Sequence, residues 1–408
     1  MESWLAVRLH LGSSRSAEIA SIVQSDKMGL VLRRNRRKQF IVIVVVVLAL
    51  MLCSWGAAAP EQQPGPERPG QPSEAEKLTG ELSREAEVQL KAGAYDKALK
   101  ILKQIVRLKP EDAAAHHRLA LVYIKVGRYQ DAVNASRQAI LFQADFPAAH
   151  TCLGAAYILL DSPKEAVEAL KRAIRLKADN PEAYAYLGAA YMLLNNYEEA
   201  AAAYQQAVHL APDNAEAQIG WGSALAYLGR HREALEALEQ GIRLRPQKAE
   251  AYVDLAAALS NLGRQQQALE ACQKAIGLNP ELPEAHFGLG IIYLLMDDLA
   301  ESTNAFKMAI RLKPDYYQAH SGLGEVWGRR GYYQEAVDSF DKALGIKPDY
   351  AWAHFSLGCV QAKYGMKAAA LQEHEILKSL NLKLADELFL AIVLTPTPRQ
   401  KFGFDLLK

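Results

Sequence analysis

One stretch, NPEAYAYLGAAYMLLNNYEEAAAAYQQAVHLAP from Asn180 to Pro212, returns in altered form along three quarters of the chain, and it limits the possible folds more than any other feature. Shifting the window by 34 residues meets the same pattern with no insertion or deletion. Residues 79–384 therefore divide into nine units, beginning at 79, 113, 147, 181, 215, 249, 283, 317 and 351. A fixed period of this size marks a solenoid, in which each unit buries its apolar face against its neighbours. Within a unit the small and large apolar residues recur at helical spacings of three, four and seven, so each unit reads as two helices of about a dozen residues.

Numbering positions from 1 within each unit, position 8 is always alanine or glycine (Ala86, Gly188, Gly324 and their equivalents), and position 20 is alanine in every unit except for Ser302. Small side chains let two helix backbones approach, so these positions mark the contact between first and second helix. Position 15 holds only Gly, Asn or Asp, with Asp161, Asn195 and Asp297 standing where the other six units have glycine. These residue types tolerate the left-handed conformation that closes a helix, which predicts the end of every first helix there. Position 32 is proline in six units, from Pro110 to Pro348, and ends the second helix. In Asn180-Pro181 a capping residue precedes a proline suited to the first helical position.

With these residues the chain resembles the tetratricopeptide repeat family, through the small-large pattern, the 34-residue period and the late proline. The resemblance implies an all-α right-handed superhelix of nine helix pairs. Departures are local: Glu85 in unit one, Pro163 in unit three, and His374 and Leu377 in unit nine, which also lacks the closing proline. Terminal units of a solenoid are atypical because one of their faces meets solvent or a cap.

The family's geometry turns positions 2, 5, 9, 12 and 13 of each first helix into a concave groove. In units three to seven that lining would be Thr151, Ile158, Leu159, Met192, Leu193, Ile219, Tyr227, Val253, Asn261, Phe287, Ile291, Leu294 and Leu295. An apolar groove with a few polar points suits a peptide or a partner helix. The competing reading is that these side chains pack between neighbouring helices. Two specialised groove chemistries of the family are absent. The chaperone carboxylate clamp wants Lys at position 5 with Asn at position 9, and position 5 here runs Ser83, His117, Thr151, Ala185, Ile219, Val253, Phe287, Ser321, Phe355. The asparagine ladder of the protein O-GlcNAc transferase wants Asn at position 6, where this chain has residues such as Arg118, Tyr186, Gly220 and Asp254.

Ahead of the repeats, residues 1–39 form a basic tail of net +5, although the whole 408-residue chain has a formal charge of only +1. Met28 is an alternative start. Residues 40–59 are uncharged and long enough, as a helix of about 30 Å, to cross a bilayer. They read as a signal anchor, or as the apolar part of a cleaved signal. In both cases Arg33, Arg34, Arg36, Arg37 and Lys38 keep the amino terminus in the cytoplasm and the repeats are exported. The alternative location is secreted or periplasmic after cleavage. Residues 60–78 are proline-rich and polar, a spacer rather than a folded segment.

No catalytic constellation, cofactor motif or basic nucleic-acid surface is found in the sequence. His116, His150, His286, His320 and His354 all occupy position 4, and equivalent side chains in successive units stand about 10 Å apart, too far to share a metal. They replace Tyr184 and Tyr252 and are expected to pack. Residues 385–408 form a cap and tail, and the stretch from Leu384 supplies Leu384, Leu388, Leu390, Ile392 and Val393 to cover the end of unit nine before Pro396 and Pro398. The sequence thus describes a non-catalytic protein-interaction scaffold, without cofactor, that binds a peptide or partner helix in its groove outside the cytoplasm. The alternative is a regulatory or substrate-recruiting arm of a separate membrane or envelope enzyme complex.

Overall fold

The computed structural model of the chain describes residues 74–394, among which there are nineteen α-helices and no strand. The basic tail 1–39, the apolar segment 40–59, most of the spacer 60–78 and everything from 395 lie outside the described residues. Helix α1 (Glu74–Lys91) starts upstream of the first repeat, with Glu74 and Glu76 in its opening turn, where acidic groups favour a helix N-terminus. It pairs with α2 (Tyr95–Leu108). The next four pairs are α3 (Ala113–Lys125) with α4 (Tyr129–Phe142), α5 (Pro147–Leu159) with α6 (Pro163–Leu176), α7 (Pro181–Leu193) with α8 (Tyr197–Leu210), and α9 (Ala215–Tyr227) with α10 (His231–Leu244). The last four are α11 (Ala249–Asn261) with α12 (Gln265–Leu278), α13 (Pro283–Leu295) with α14 (Leu299–Leu312), α15 (Tyr317–Arg330) with α16 (Tyr333–Ile346), and α17 (Ala351–Lys363) with α18 (Lys367–Leu380). Helix α19 (Leu382–Leu394) follows the ninth pair.

Each second helix packs on the first helix of the next repeat, and consecutive first helices from α3 to α17 also touch one another. Consecutive second helices have no comparable contact among the described residues. The first helices are therefore drawn together on the inner side of the stack.

The residues that set this spacing are those whose pattern repeats. All nine position-15 residues stand at positive φ, including Asp161 at 54°, Asn195 at 59° and Asp297 at 63°. Each turns the chain from first to second helix. At position 20 every side chain is fully buried, and at the one serine the Ser302 hydroxyl donates to the Gly290 carbonyl of position 8 at 2.8 Å. That bond satisfies the only polar group the sequence places at the helix contact. A large residue at position 24 then fills the gap left by the position-8 glycine. A β-carbon built on Gly154 would stand 2.7 Å from Leu170 Cδ2, one on Gly188 2.7 Å from the Tyr204 ring, and one on Gly290 2.7 Å from the Phe306 ring.

Between repeats the connecting loop is held by position 4. His116 Nε2–H donates to the Pro110 carbonyl at 2.8 Å, and His150, His286, His320 and His354 make the same bond to Ala144, Pro280, Pro314 and Pro348 at 2.8 to 3.2 Å. A carbonyl only accepts, so Nε2 carries the proton in each ring. Where the histidine is replaced, Gln218 donates to Pro212 and Tyr252 to Pro246. These side chains are loop clasps as well as packing groups. Asp112, Asn180, Asn214 and Asp298 cap the helices that follow them by accepting from a backbone N–H three residues on.

At the far end, Leu388 and Ile392 of α19 are buried and Leu384 packs beside them. Leu390 and Val393, expected to join them, are 57% and 59% exposed. They fall on the opposite face of α19 because burial follows the four-residue spacing Leu384, Leu388, Ile392.

Candidate functional site

The first helices supply the candidate surface. Leu159, Leu193 and Tyr227, at position 13 of three consecutive repeats, are 45%, 48% and 37% exposed. Large apolar side chains in a row at this exposure are the feature a packed core does not explain. Tyr227 stacks on Tyr197 at 4.6 Å with the rings 4° from parallel, and burial pushes its phenol up to about 12, so it stays a neutral, amphipathic contact group. Ile158 and Met192 lie half-buried on two of the same helices, as do Val253 and Asn261 on α11 and Leu295 on α13. The Asn261 amide donates to the Ala257 carbonyl of its own helix at 2.9 Å.

Five of the expected lining residues are instead interior. Thr151 donates to the Pro147 carbonyl at 3.0 Å and accepts from the Asn180 amide at 3.1 Å, so its hydroxyl is spent on the repeat joint. Ile219 packs against Gly241, where an added β-carbon would stand 2.5 Å from its Cγ1. Phe287 lies between the rings of Phe306 at 5.8 Å and Tyr316 at 5.1 Å, and Ile291 and Leu294 belong to the same buried cluster. At Ile219 and Phe287 position 5 is turned into the joint between repeats and fills it.

Two further exposed apolar residues lie on the first helices α3 and α7, outside the expected lining. Leu121 is 45% exposed at position 9 of repeat two, outside the five repeats considered, and Tyr186 is 42% exposed at position 6. The signal for Leu121 was present, since position 9 belongs to the same face. Position 6 was read only for asparagine. Repeats eight and nine add a cleft of about 250 Å³ floored by Trp352, Phe355 and Cys359. Glu325, Arg329 and Lys363 rim it, with Arg329 Nη2 on Glu325 Oε1 at 2.9 Å. Burial pushes the Cys359 thiol up to about 12, so it is a packing group and no thiolate nucleophile at neutral pH.

Electrostatics divide the surface along its length. Helices α7, α9, α11 and α13 contain Glu182, Glu216, Glu250, Asp254 and Glu284 and no Lys or Arg. Among first helices, cations occur in α1, α3, α15 and α17, Lys125, Arg329 and Lys363 among them, while α5 has no charged residue. Asp254 accepts from the Ser223 hydroxyl of the preceding repeat, and burial raises its carboxyl to about 6. Glu216 is held by Arg245 and Lys248. Among the described residues no cluster of His, Cys, Asp and Glu has the arrangement of a metal site.

Family models of the tetratricopeptide repeat match residues 89–155, 181–214, 219–283 and 287–351, and a further TPR repeat model matches 164–195. Together they span more than half of the chain. It belongs to the tetratricopeptide repeat family. No curated protein sequence matches this TPR chain. Among solved structures, the Cut9–Hcn1 hetero-tetramer of the APC/C is similar with a TM-score of 0.54 at 17% identity, over 72% of this chain and 58% of that one. The TPR array thus spans less than two thirds of that relative, and at this identity the likeness shows the fold. A tetratricopeptide repeat protein from Parabacteroides merdae aligns over 60% of this chain and 98% of its own, with 17% identity and a TM-score of 0.47. YrrB, described as a TPR protein with an unusual peptide-binding site, aligns over 46% of this chain and 96% of its own, with 25% identity and a TM-score of 0.35.

Proposed function

We propose that this chain is a non-catalytic interaction scaffold that binds a peptide or partner helix along its first helices. Repeats of this family are typically scaffolds rather than catalysts, and the all-helical array fits that role. The observation that carries the reading is the exposed apolar row Leu159, Leu193 and Tyr227 on three consecutive first helices. Cysteines placed at Leu159 and Leu193 should crosslink a partner in intact cells, and changing Leu159, Leu193 and Tyr227 together to Asp should abolish its capture with helicity unchanged. Undiminished capture by that triple variant would refute the reading.

The same proposal includes attachment to a membrane through residues 40–59, with the repeats on the exported side. Its support is the uncharged twenty-residue run directly after Arg36, Arg37 and Lys38. Among the described residues no helix is long and apolar enough to cross a membrane, and 40–59 lies outside them. Carbonate-resistant fractionation with the membrane, together with protease digestion of the repeats from the outer side only, is the expected result. Repeats protected in sealed cells would contradict it.

A further inference from the structure

The central first helices, α7, α9, α11 and α13, carry five acidic side chains and not one lysine or arginine. The helix dipole accounts for part of this, since glutamate at position 2 sits in the first turn where negative charge is favoured. It does not account for the other end. A cation is favoured in the last turn, and α3, α15 and α17 have one there, whereas α7, α9, α11 and α13 have none. Position 13, which carries Lys125, Arg329 and Lys363 at the two ends, is Leu193, Tyr227, Asn261 and Leu295 in the centre. Glu216 is neutralised within the fold by Arg245 and Lys248, whereas Glu182, Glu250 and Glu284 make no ion pair among the described residues. An apolar row at the C-terminal ends of these helices, with unpaired glutamates at their N-terminal ends about 16 Å away and cations only on more distant first helices, would select its occupant by charge.

We propose that repeats four to seven take a cationic amphipathic segment of a protein partner. Its apolar side chains would lie on Leu193 and Tyr227, and its lysines or arginines would face Glu182, Glu250 and Glu284. This rests on the docking reading above and specifies the chemistry of the partner. Opposite charge aligned across the groove fixes register and rejects anionic competitors, and its effect weakens as salt screens it.

The test uses the full chain in neutral detergent micelles, with micelles alone as blank. Two fluorescent peptides of about 18 residues, a helix of about 27 Å, share one leucine face and differ only in carrying lysine or glutamate elsewhere. Anisotropy at low salt should show the lysine peptide binding about tenfold or more tighter. The preference should collapse in the E182Q/E250Q/E284Q variant, with unchanged circular dichroism, and at about 0.5 M salt, where the Debye length is only a few ångströms. It should survive in an E198Q/E199Q variant, whose changes lie on the second helix α8. Equal binding of both peptides, or a lysine preference that persists in the triple variant, would overturn this inference while leaving the docking surface standing. Binding of neither peptide by the wild-type chain would overturn both.

Discussion

The ring of Tyr204 lies against Gly220 of the following repeat so closely that a β-carbon built on the glycine would stand 2.5 Å from Cε1. The same ring abuts Gly188 of its own repeat, so one side chain from α8 is seated between two glycines of successive first helices. Phe306 repeats the arrangement between Gly290 and Gly322. Gly220→Ala should therefore destabilise the joint by about 1 to 3 kcal/mol, the usual cost of overpacking. The double change with Tyr204→Leu should recover part of that loss, because the joint between repeats three and four already combines Leu170 with the bulky Tyr186. Hydrogen exchange of α8 and α9 amides is the appropriate measurement, since long repeat arrays need not unfold in one step.

The position-15 turn offers a cleaner case. Asp161 stands at φ 54°, and Gly127 at φ 76° has open space where a β-carbon would go. Asp161→Gly should stabilise its repeat by about 0.5 to 1 kcal/mol, and Gly127→Ala should cost about 1 kcal/mol, both through backbone conformation alone. Amide protection of α5 and α3 against exchange would show opposite signs. Like signs would contradict the assignment.

His354 differs from the other loop clasps because its second nitrogen is also engaged, with Nδ1 2.6 Å from Glu373 Oε2. Burial alone would lower its pKa, but the bonds to Glu373 and to the Pro348 carbonyl outweigh burial and the net direction is up. A raised histidine contributes stability that is complete below its ordinary value of about 6.5 and is lost as pH rises through the folded value. The stability advantage of wild type over His354→Gln should therefore shrink from about pH 6 to about pH 8. Glutamine keeps the loop bond, as Gln218 does to Pro212, without titrating. A difference independent of pH in thermal unfolding of the ninth repeat would argue against the shared proton.

A set of cations spans the joints between repeats. Lys103, Arg137, Lys171 and Lys307 lie 5.5 to 6.0 Å from the rings of Tyr123, Tyr157, Tyr191 and Trp327 in the next repeat. Arg137 also donates to the Tyr157 hydroxyl at 2.6 Å. Removing the charge by Lys307→Gln should weaken the α14 to α15 joint by about 0.5 to 1 kcal/mol, as an exposed cation–π contact does. Local exchange rates in α15 would report it.

What the letters reveal follows from how local each constraint is. Position 15 was legible because a positive φ excludes all but a few residue types, and positions 8 and 20 because close backbones exclude large ones. The trough was less legible. Whether Ile219 or Phe287 meets solvent depends on Gly241, Phe306 and Tyr316, and these partners lie up to 29 residues away. The histidines of position 4 show the limit of pattern reading. Their interchange with Tyr252 suggests bulk, whereas the structure shows a shared donor aimed at the carbonyl six residues back.

The last helix has a consequence for how the chain comes apart. Elsewhere the hollow at position 8 is plugged from the repeat's own second helix, but at Gly358 the plug is Leu388 of α19, with its Cδ2 2.5 Å from where a β-carbon would be. The ninth pair is thus a door whose bolt is mounted on the neighbouring wall. Any binder or protease that draws α19 away unlatches Gly358 as well, so unravelling from that end would begin one unit deeper than the cut itself.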